Sequence, residues 1–149
     1  MPTQNRFFRQ IGLEQALADY EGTVVGISAG SMNSARLVYA QPELPGEARD
    51  PDYSRYLPGL GLTRVSVLPH FQPDSTETLD GLELWRDISL PDSFRQPFCC
   101  LADGAYIVQE GRDAERVQLT GPAWLCRQGR LTALCGPGER KSFPVEELT

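Results

Sequence analysis

A serine flanked by two glycines follows an apolar run near the start of the chain. Residues 24–33 are Val-Val-Gly-Ile-Ser-Ala-Gly-Ser-Met-Asn, so Ser28 stands in a Gly-x-Ser-x-Gly pentapeptide. This layout is typical of a nucleophile elbow, a tight strand-to-helix turn that exposes a serine hydroxyl beside backbone N–H donors. Glycine is expected on both sides of the serine, because such a turn leaves little room for neighbouring Cβ atoms. The pentapeptide alone also fits an ordinary strand-to-helix junction.

A serine nucleophile needs a base, and the chain contains one histidine. The base is usually a histidine whose ring is oriented by a carboxylate. His70 stands in Leu-Pro-His-Phe, directly after a predicted strand at 63–68. Open α/β sheets place their ligands at the carboxyl ends of strands. If a histidine activates Ser28 it is therefore His70, and the alternative is a structural role in a Pro-His-Phe turn.

The orienting acid and the substrate contacts are less determined by the sequence. Glu43 lies in a loop between the serine and the histidine, with further acidic candidates at Asp50, Asp52 and Asp74. Spacing alone does not choose among these carboxylates. Arg55, in the same loop, is suited to bind a substrate carboxylate, the alternative being a solvated arginine.

Composition excludes several classes of function. The 149-residue chain carries 20 acidic and 14 basic residues, a net charge of −6, and no cluster of Lys or Arg. A nucleic-acid or anionic-membrane surface is therefore not expected. No apolar run approaches the ~20 residues of a membrane span, and the polar start is unlike a signal peptide, so we expect a cytoplasmic protein.

The cysteine pattern gives no reason to expect a metal site or disulfides. The four cysteines include an adjacent pair, Cys99 and Cys100, and none has Cys-x-x-Cys spacing. We therefore predict buried free thiols and no bound metal.

Hydrophobic periodicity predicts helices and strands in alternation over the first part of the chain. Helices are predicted near 4–19, at 31–39 and from Asp74 or Ser75 through Leu79, Leu82, Trp85 and Ile88. Strands are predicted at 23–27, as a buried parallel strand, and at 63–68. The segment 41–61 is rich in Pro and Gly and is expected to be a loop.

After residue 92 the pattern changes to short β-like runs separated by turn dipeptides. The runs are 98–101, 105–108, 116–119, 123–126 and 131–134, and the tail 140–149 is expected to be frayed. We expect one domain, 1–149, with an α/β part at 1–92, a β-rich antiparallel part at 93–140 and a tail at 141–149.

Three segments in register resemble the peptidase E family of serine peptidases. They are Gly-Ile-Ser-Ala-Gly-Ser-Met-Asn at 26–33, Gln-Pro-Glu-Leu-Pro at 41–45, and Leu-Pro-Gly-Leu-Gly-Leu at 57–62 leading to Leu-Pro-His-Phe at 68–71. The family includes aspartyl dipeptidases and cyanophycinases. Asp103-Gly104 and the run after it resemble the family's late strands less specifically.

The resemblance implies roles for four residues. Ser28 matches the family nucleophile, and His70 matches the family histidine. Glu43 lies fifteen residues after Ser28, where the family has its acid. The N–H of Ala29 would be an oxyanion donor. The implied fold is α/β, a three-layer flavodoxin-like parallel sheet similar to class I glutamine amidotransferases, shortened at its N-terminus and followed by a C-terminal antiparallel β meander.

The resemblance also implies that part of the family's site precedes this chain. In the family a Gly-Gly-x-Thr-like loop supplies a second oxyanion donor, and Met1 falls about where that loop ends. Thr3 and Gln4 are substrate-contact candidates on this layout, and Asn33 is a candidate to shape the pocket. The shortened sheet would have an exposed edge, which a homodimer or a partner chain would cover.

The leading hypothesis is a serine peptidase that cleaves small peptides through Ser28, His70 and Glu43 without metal or cofactor. The alternative is a non-catalytic or partner-completed relative that acts as a binding or assembly module. An amidotransferase-like subunit is a weaker third possibility, because the glutaminases of that fold carry cysteine at the elbow.

Overall fold

The computed structural model describes residues 1–149 and contains few, short helices. They are α1 (Pro2–Gln10), α2 (Leu13–Ala18), α3 (Ala29–Ser34), a π-helix (Leu84–Ser89), α4 (Leu90–Asp92) and a 3₁₀ turn (Val145–Glu147). The first strands are β1 (Leu37–Tyr39), β2 (Tyr56–Pro58), β3 (Val67–Leu68), β4 (Thr78–Leu79) and β5 (Leu82–Glu83). The later ones are β6 (Phe98–Leu101), β7 (Tyr106–Val108), β8 (Arg116–Thr120), β9 (Ala123–Arg127), β10 (Arg130–Cys135) and β11 (Arg140–Pro144).

The largest sheet has four strands in the order β10-β9-β6-β3, and it has one parallel pair. In that pair Val67 of β3 lies opposite Cys99 of β6, and Leu68 lies opposite Cys100. Because parallel strands end at the same edge, the residues that follow β3 and β6 emerge side by side. The other sheets are antiparallel: β11-β8-β7 and the two-stranded pairs β1-β2 and β4-β5.

The strand β6 divides the hydrophobic core into two clusters. Successive side chains of a strand point to opposite faces. Cys99 accordingly packs with Val67 and Leu119 on one face, whereas Cys100 packs with Tyr39 and Phe71 on the other. All four cysteines are buried and free, which confirms the prediction made for them.

The predicted flavodoxin-like three-layer parallel sheet is wrong. Residues 23–27 form no strand, and Val25 and Ile27 are 78% and 79% exposed. A β-branched run forms a strand only when a neighbour pairs with its backbone, and no neighbour does so here. The fold is instead a helix-poor, mixed α/β arrangement of several small antiparallel sheets around one mixed sheet.

The three predicted helices are also partly or wholly wrong. The helix at 4–19 is divided into α1 and α2 at Gly12, whose φ of 65° cannot continue a right-handed helix. The helix at 31–39 ends at Ser34, and its second half becomes β1. The first part of the helix predicted from residue 74 is replaced by the β4–β5 hairpin, because Asp80 and Gly81 both adopt the positive φ of a two-residue hairpin turn. Its last part, with Trp85 and Ile88, is helical and forms the π-helix.

The late strands are predicted best. All five β-like runs after residue 92 correspond to strands, from β6 to β10, within a residue or two at each end. The expectation of a frayed tail is wrong, because β11 pairs with β8 and the side chains of Val145 and Leu148 are buried. None of the helices is long and apolar enough to cross a membrane.

Candidate active site

Ser28 directly precedes α3 in a backbone conformation that L-amino acids rarely adopt. Its φ is 51° and its ψ is −123°. The residue is exposed, and its carbonyl oxygen accepts hydrogen bonds from the Ser31 and Met32 N–H groups and from the Ser31 hydroxyl. The Ser28 hydroxyl itself makes no hydrogen bond, and neither does the N–H of Ala29. A free hydroxyl thus stands beside a free backbone donor.

The two glycines around Ser28 are not equivalent. A Cβ atom on Gly26 would lie 2.8 Å from both the Gly30 carbonyl oxygen and the Ser31 nitrogen, whereas a Cβ on Gly30 would meet nothing within 4 Å. The incoming chain therefore passes too close to the start of α3 for any residue other than glycine at position 26. The steric argument holds for the first glycine of the pentapeptide and not for the second.

His70, like Ser28, has a positive φ, here 57°. Four residues other than glycine have positive φ: Ser28, His70, Asp80 and Gln128. Asp80 and Gln128 each precede a glycine in a two-residue hairpin turn, where positive φ is expected. Ser28 and His70 have no such explanation. Strain of this kind concentrates at active sites.

The His70 ring is held by an aspartate that sequence reasoning missed. Its Nδ1 lies 2.6 Å from the Asp103 Oδ1, and both side chains are exposed, by 60% and 75%. His70 follows β3 and Asp103 follows β6, so the parallel pairing of these strands brings the two together. With Nδ1 bonded to a carboxylate, Nε2 is free to accept a proton.

The signal that could have found Asp103 is its place after a predicted strand. The run 98–101 is readable in the sequence, and Asp103 follows it by two residues, as His70 follows the run 63–68 by two. What the sequence does not state is that these two strands are neighbours and parallel. The sequence predicts a turn at Asp103-Gly104, and the resemblance relates the dipeptide to the family's late strands, but neither assigns a chemical role to Asp103.

The structure does not bring Glu43 to His70. One Glu43 oxygen, Oε2, lies 2.6 Å from the α-amino group of Met1, and the carboxylate is half exposed. The other candidates, Asp50, Asp52 and Asp74, form no ion pair with His70 either. The fifteen residues from Ser28 to Glu43 include α3 and β1, and they lead the chain to the Met1 amino group instead of to His70. The geometry therefore favours Asp103 as the orienting acid.

Ser28 and His70 lie on neighbouring elements but are not hydrogen-bonded to each other. The helix α3 packs against β3, and an isolated parallel bridge joins Ala35, directly after α3, to Thr63 in the segment that leads into β3. Ser28 and the His70–Asp103 pair therefore lie on elements that pack against one another. Catalytic hydrogen bonds are often long in unliganded enzymes and shorten when substrate binds.

Asn33 anchors the elbow from inside rather than lining a pocket. Its side chain is fully buried, and its Nδ2 donates to the Ala29 carbonyl at 2.8 Å and to the Gln4 Oε1 at 3.3 Å. Its Oδ1 accepts a hydrogen bond of 2.7 Å from Asn5 Nδ2, which also donates to the Pro58 carbonyl. This amide network joins α1 to α3. Asn33 and Gln4 therefore have a structural role that does not require a substrate.

We expect Asn33→Ala to lower the free energy of unfolding by about 3 kcal/mol, because it leaves the buried Asn5 amide and Ala29 carbonyl short of partners. Urea unfolding followed by circular dichroism measures the change. Thr3→Ala, at an exposed position of α1, is the control and should change stability by less than about 1 kcal/mol. Equal effects of the two changes would contradict the network.

Arg55 lies away from the elbow. Its Nη1 is 3.8 Å from the Asp92 Oδ2, and Asp92 also accepts a hydrogen bond from the Tyr39 hydroxyl. The Tyr39 ring stacks on Phe98, the first residue of β6, at a centroid distance of 4.3 Å. His70 and Asp103 lie beyond the other end of that strand, so Arg55 is not placed to bind a substrate at His70.

No group of three His, Cys, Asp or Glu side chains is arranged to hold a metal ion. Comparison of the chain with protein-family models, with curated proteins and with solved structures finds no significant match.

Proposed function

We propose that the protein is a serine hydrolase that cleaves peptide bonds in small peptides. Ser28 is the nucleophile, His70 is the general base, and Asp103 orients the imidazole. The choice of peptide bonds, including aspartyl and isopeptide-linked substrates, rests on the resemblance of residues 26–71 to peptidase E. Asp103 takes the place that the resemblance gave to Glu43.

The observation that carries the proposal is the backbone of Ser28. A φ of 51° and a ψ of −123° cost an L-residue about 1–3 kcal/mol, which an ordinary helix start would not retain. This conformation points a free hydroxyl outward next to the free Ala29 N–H. The 2.6 Å contact between His70 and Asp103 supplies the oriented base.

The reaction follows from these positions. As Ser28 Oγ attacks the substrate carbonyl, its proton passes to His70 Nε2, and the negative oxygen is stabilised by the Ala29 N–H. Collapse of this intermediate breaks the C–N bond, and the leaving amine takes the proton from His70. Water then attacks the acyl-enzyme with the same histidine as base, which releases the acid product and restores Ser28.

One backbone donor is assigned to the oxyanion, whereas acyl-transfer enzymes commonly use two. Removal of one donor costs about 10²–10³ in turnover in a well-studied serine protease. We therefore expect slow hydrolysis by the chain alone.

The test compares Asp103→Asn with Glu43→Gln in the hydrolysis of aspartyl and β-aspartyl dipeptides. Loss of the orienting carboxylate should lower kcat by about 10²-fold or more, a smaller loss than for a buried triad aspartate because Asp103 is exposed. Glu43→Gln should leave kcat within about threefold, since its carboxylate bonds the Met1 α-amino group and not His70. The reverse order of effects would assign the acid to Glu43, and no hydrolysis by the unaltered protein would contradict the proposal.

The alternative function, an assembly module, is favoured by a different observation. The apolar run before Ser28 is exposed along its length, and Phe7 of α1 and Ile11, directly after α1, are more than half exposed. Contiguous exposed apolar surface marks interaction sites. A partner strand from a second copy or another chain would pair with 23–27, and in this case Ser28 need not react.

A further inference from the structure

A cavity of about 580 Å³ lies between two segments that are distant in sequence. One wall comes from residues 51–56, directly before and at the start of β2, and the other from residues 91–95, at and after the end of α4. The walls contain two arginines, Arg55 and Arg95, and three aromatic rings, those of Tyr53, Tyr56 and Phe94. The proposed catalytic residues do not line it.

Arg55 presents an unsatisfied donor there. Its side chain is 22% exposed, and its Nη1 is buried without a hydrogen-bond partner. Its Nη2 donates to the Ala48 carbonyl at 3.2 Å, while Nη1 is 3.8 Å from the Asp92 Oδ2. That distance is too long for a hydrogen bond, and the oxygen already accepts one from Tyr39. A buried charged donor without an acceptor is costly unless a ligand supplies the acceptor.

Arg95 adds a second cation at the mouth of the cavity. Its guanidinium lies over the Tyr56 ring, 4.6 Å from the centroid, and it forms no ion pair. Stacking on the ring fixes the plane of the guanidinium and leaves its N–H edge available. Two guanidinium groups therefore border one space.

The walls of the cavity also carry two carboxylates, those of Asp52 and Asp92. Burial raises the pKa of the Asp92 carboxyl, and the charges of Arg55 and Arg95 oppose that shift, so this carboxylate interacts with both arginines. Asp52 is exposed, and its backbone N–H donates to Asp50 in a local turn. Two arginines and two carboxylates thus border the cavity, but no hydrogen bond joins either carboxylate to either arginine.

We infer that this cavity binds a small organic anion. Its carboxylate or phosphate group lies between Arg55 and Arg95, and its apolar part contacts the Tyr53 and Phe94 rings. Planar guanidinium groups match both oxyanions with paired N–H donors. The inference does not depend on the proposed hydrolase activity, because no residue is shared with the Ser28 site.

The test is isothermal titration calorimetry of the whole chain with phenyl phosphate and with benzoate, and with benzamide as the neutral comparison. We expect at least one anion to bind and benzamide to bind at least tenfold more weakly, because a charge-assisted hydrogen bond contributes more than a neutral one. The stronger of the two anions identifies the oxyanion that the site prefers.

Three variants locate the site. Arg55→Gln and Arg95→Gln should each raise the dissociation constant about tenfold or more, the loss expected for one charge-assisted contact. Arg64→Gln removes an equal charge from an exposed residue outside the cavity and should leave binding within about twofold. If the Arg55→Gln variant does not fold, the test rests on the Arg95→Gln variant, because Arg95 is exposed. Failure of both anions to bind, or equal binding by Arg95→Gln and the unaltered protein, would overturn the inference.

Discussion

Gly59→Ala is expected to lower the free energy of unfolding by at least about 3 kcal/mol, near the upper range for single substitutions. A Cβ atom at this position would clash with the Ala35 carbonyl oxygen and lie 2.8 Å from a Val38 methyl carbon. The backbone cannot move aside easily, because the Gly59 N–H donates to Arg36 and the next N–H donates to Asn33. The strand pair β1-β2 and the end of α3 would both be displaced.

Urea unfolding monitored by tryptophan fluorescence measures this effect, and a thermal scan should show a midpoint lower by roughly 10 °C. Gly30→Ala is the matched control, since a Cβ there meets no atom within 4 Å and alanine favours the helix that contains it. We expect the control to be neutral or slightly stabilising. A loss below about 1 kcal/mol for Gly59→Ala would show that the packing of this turn is looser than described.

Ser28→Gly is expected to stabilise the protein and to abolish hydrolysis. Glycine adopts a φ of 51° without steric cost, so relief of strain should exceed the extra chain entropy of glycine by about 1 kcal/mol. Removal of the nucleophile should lower kcat by at least about 10³-fold, given losses near 10⁶-fold in an efficient serine protease. Opposite directions for stability and activity are typical of a residue that is strained for function.

Ser28→Ala separates the two effects. Alanine retains the strained backbone, and the serine hydroxyl makes no hydrogen bond to lose, so stability should stay within about 0.5 kcal/mol. Hydrolysis should be lost to the same extent as in Ser28→Gly. Equal stability of the glycine and alanine variants would mean that the elbow is not strained, and retained hydrolysis in either would remove Ser28 from the mechanism.

The residue patterns single out the proposed nucleophile and base more clearly than the proposed acid. Gly26 and Ser28 are separated by one residue, so the close approach that requires glycine can be recognised from the local sequence. A chain with one histidine offers a single choice of base. The acid is a matter of tertiary structure, because His70 and Asp103 meet only through the parallel pairing of β3 with β6. The resemblance implied Glu43 from its distance of fifteen residues after Ser28 along the chain. Such a distance does not show which strands are neighbours, and the Glu43 carboxylate bonds the Met1 amino group.

The fold shows the same division between local and non-local information. The strands β9 and β10 are predictable because Gln128-Gly129 makes a two-residue turn between complementary runs. The run at 23–27 has the composition of a strand, yet its conformation depends on a neighbour that its own residues do not specify. At 78–83 the helical spacing of Leu79 and Leu82 predicts a helix, whereas the turn at Asp80-Gly81 decides the structure.

The central claim, that Ser28 is an activated nucleophile, is tested most directly by covalent labelling. The folded protein is incubated with a fluorophosphonate, and the adduct is measured by intact mass and located by peptide mapping. We predict one adduct per chain, on Ser28, absent in Ser28→Ala and retained in Ser31→Ala, whose hydroxyl is engaged with the Ser28 carbonyl. No adduct on the folded protein, or one that persists in Ser28→Ala, would contradict the account and favour the assembly module.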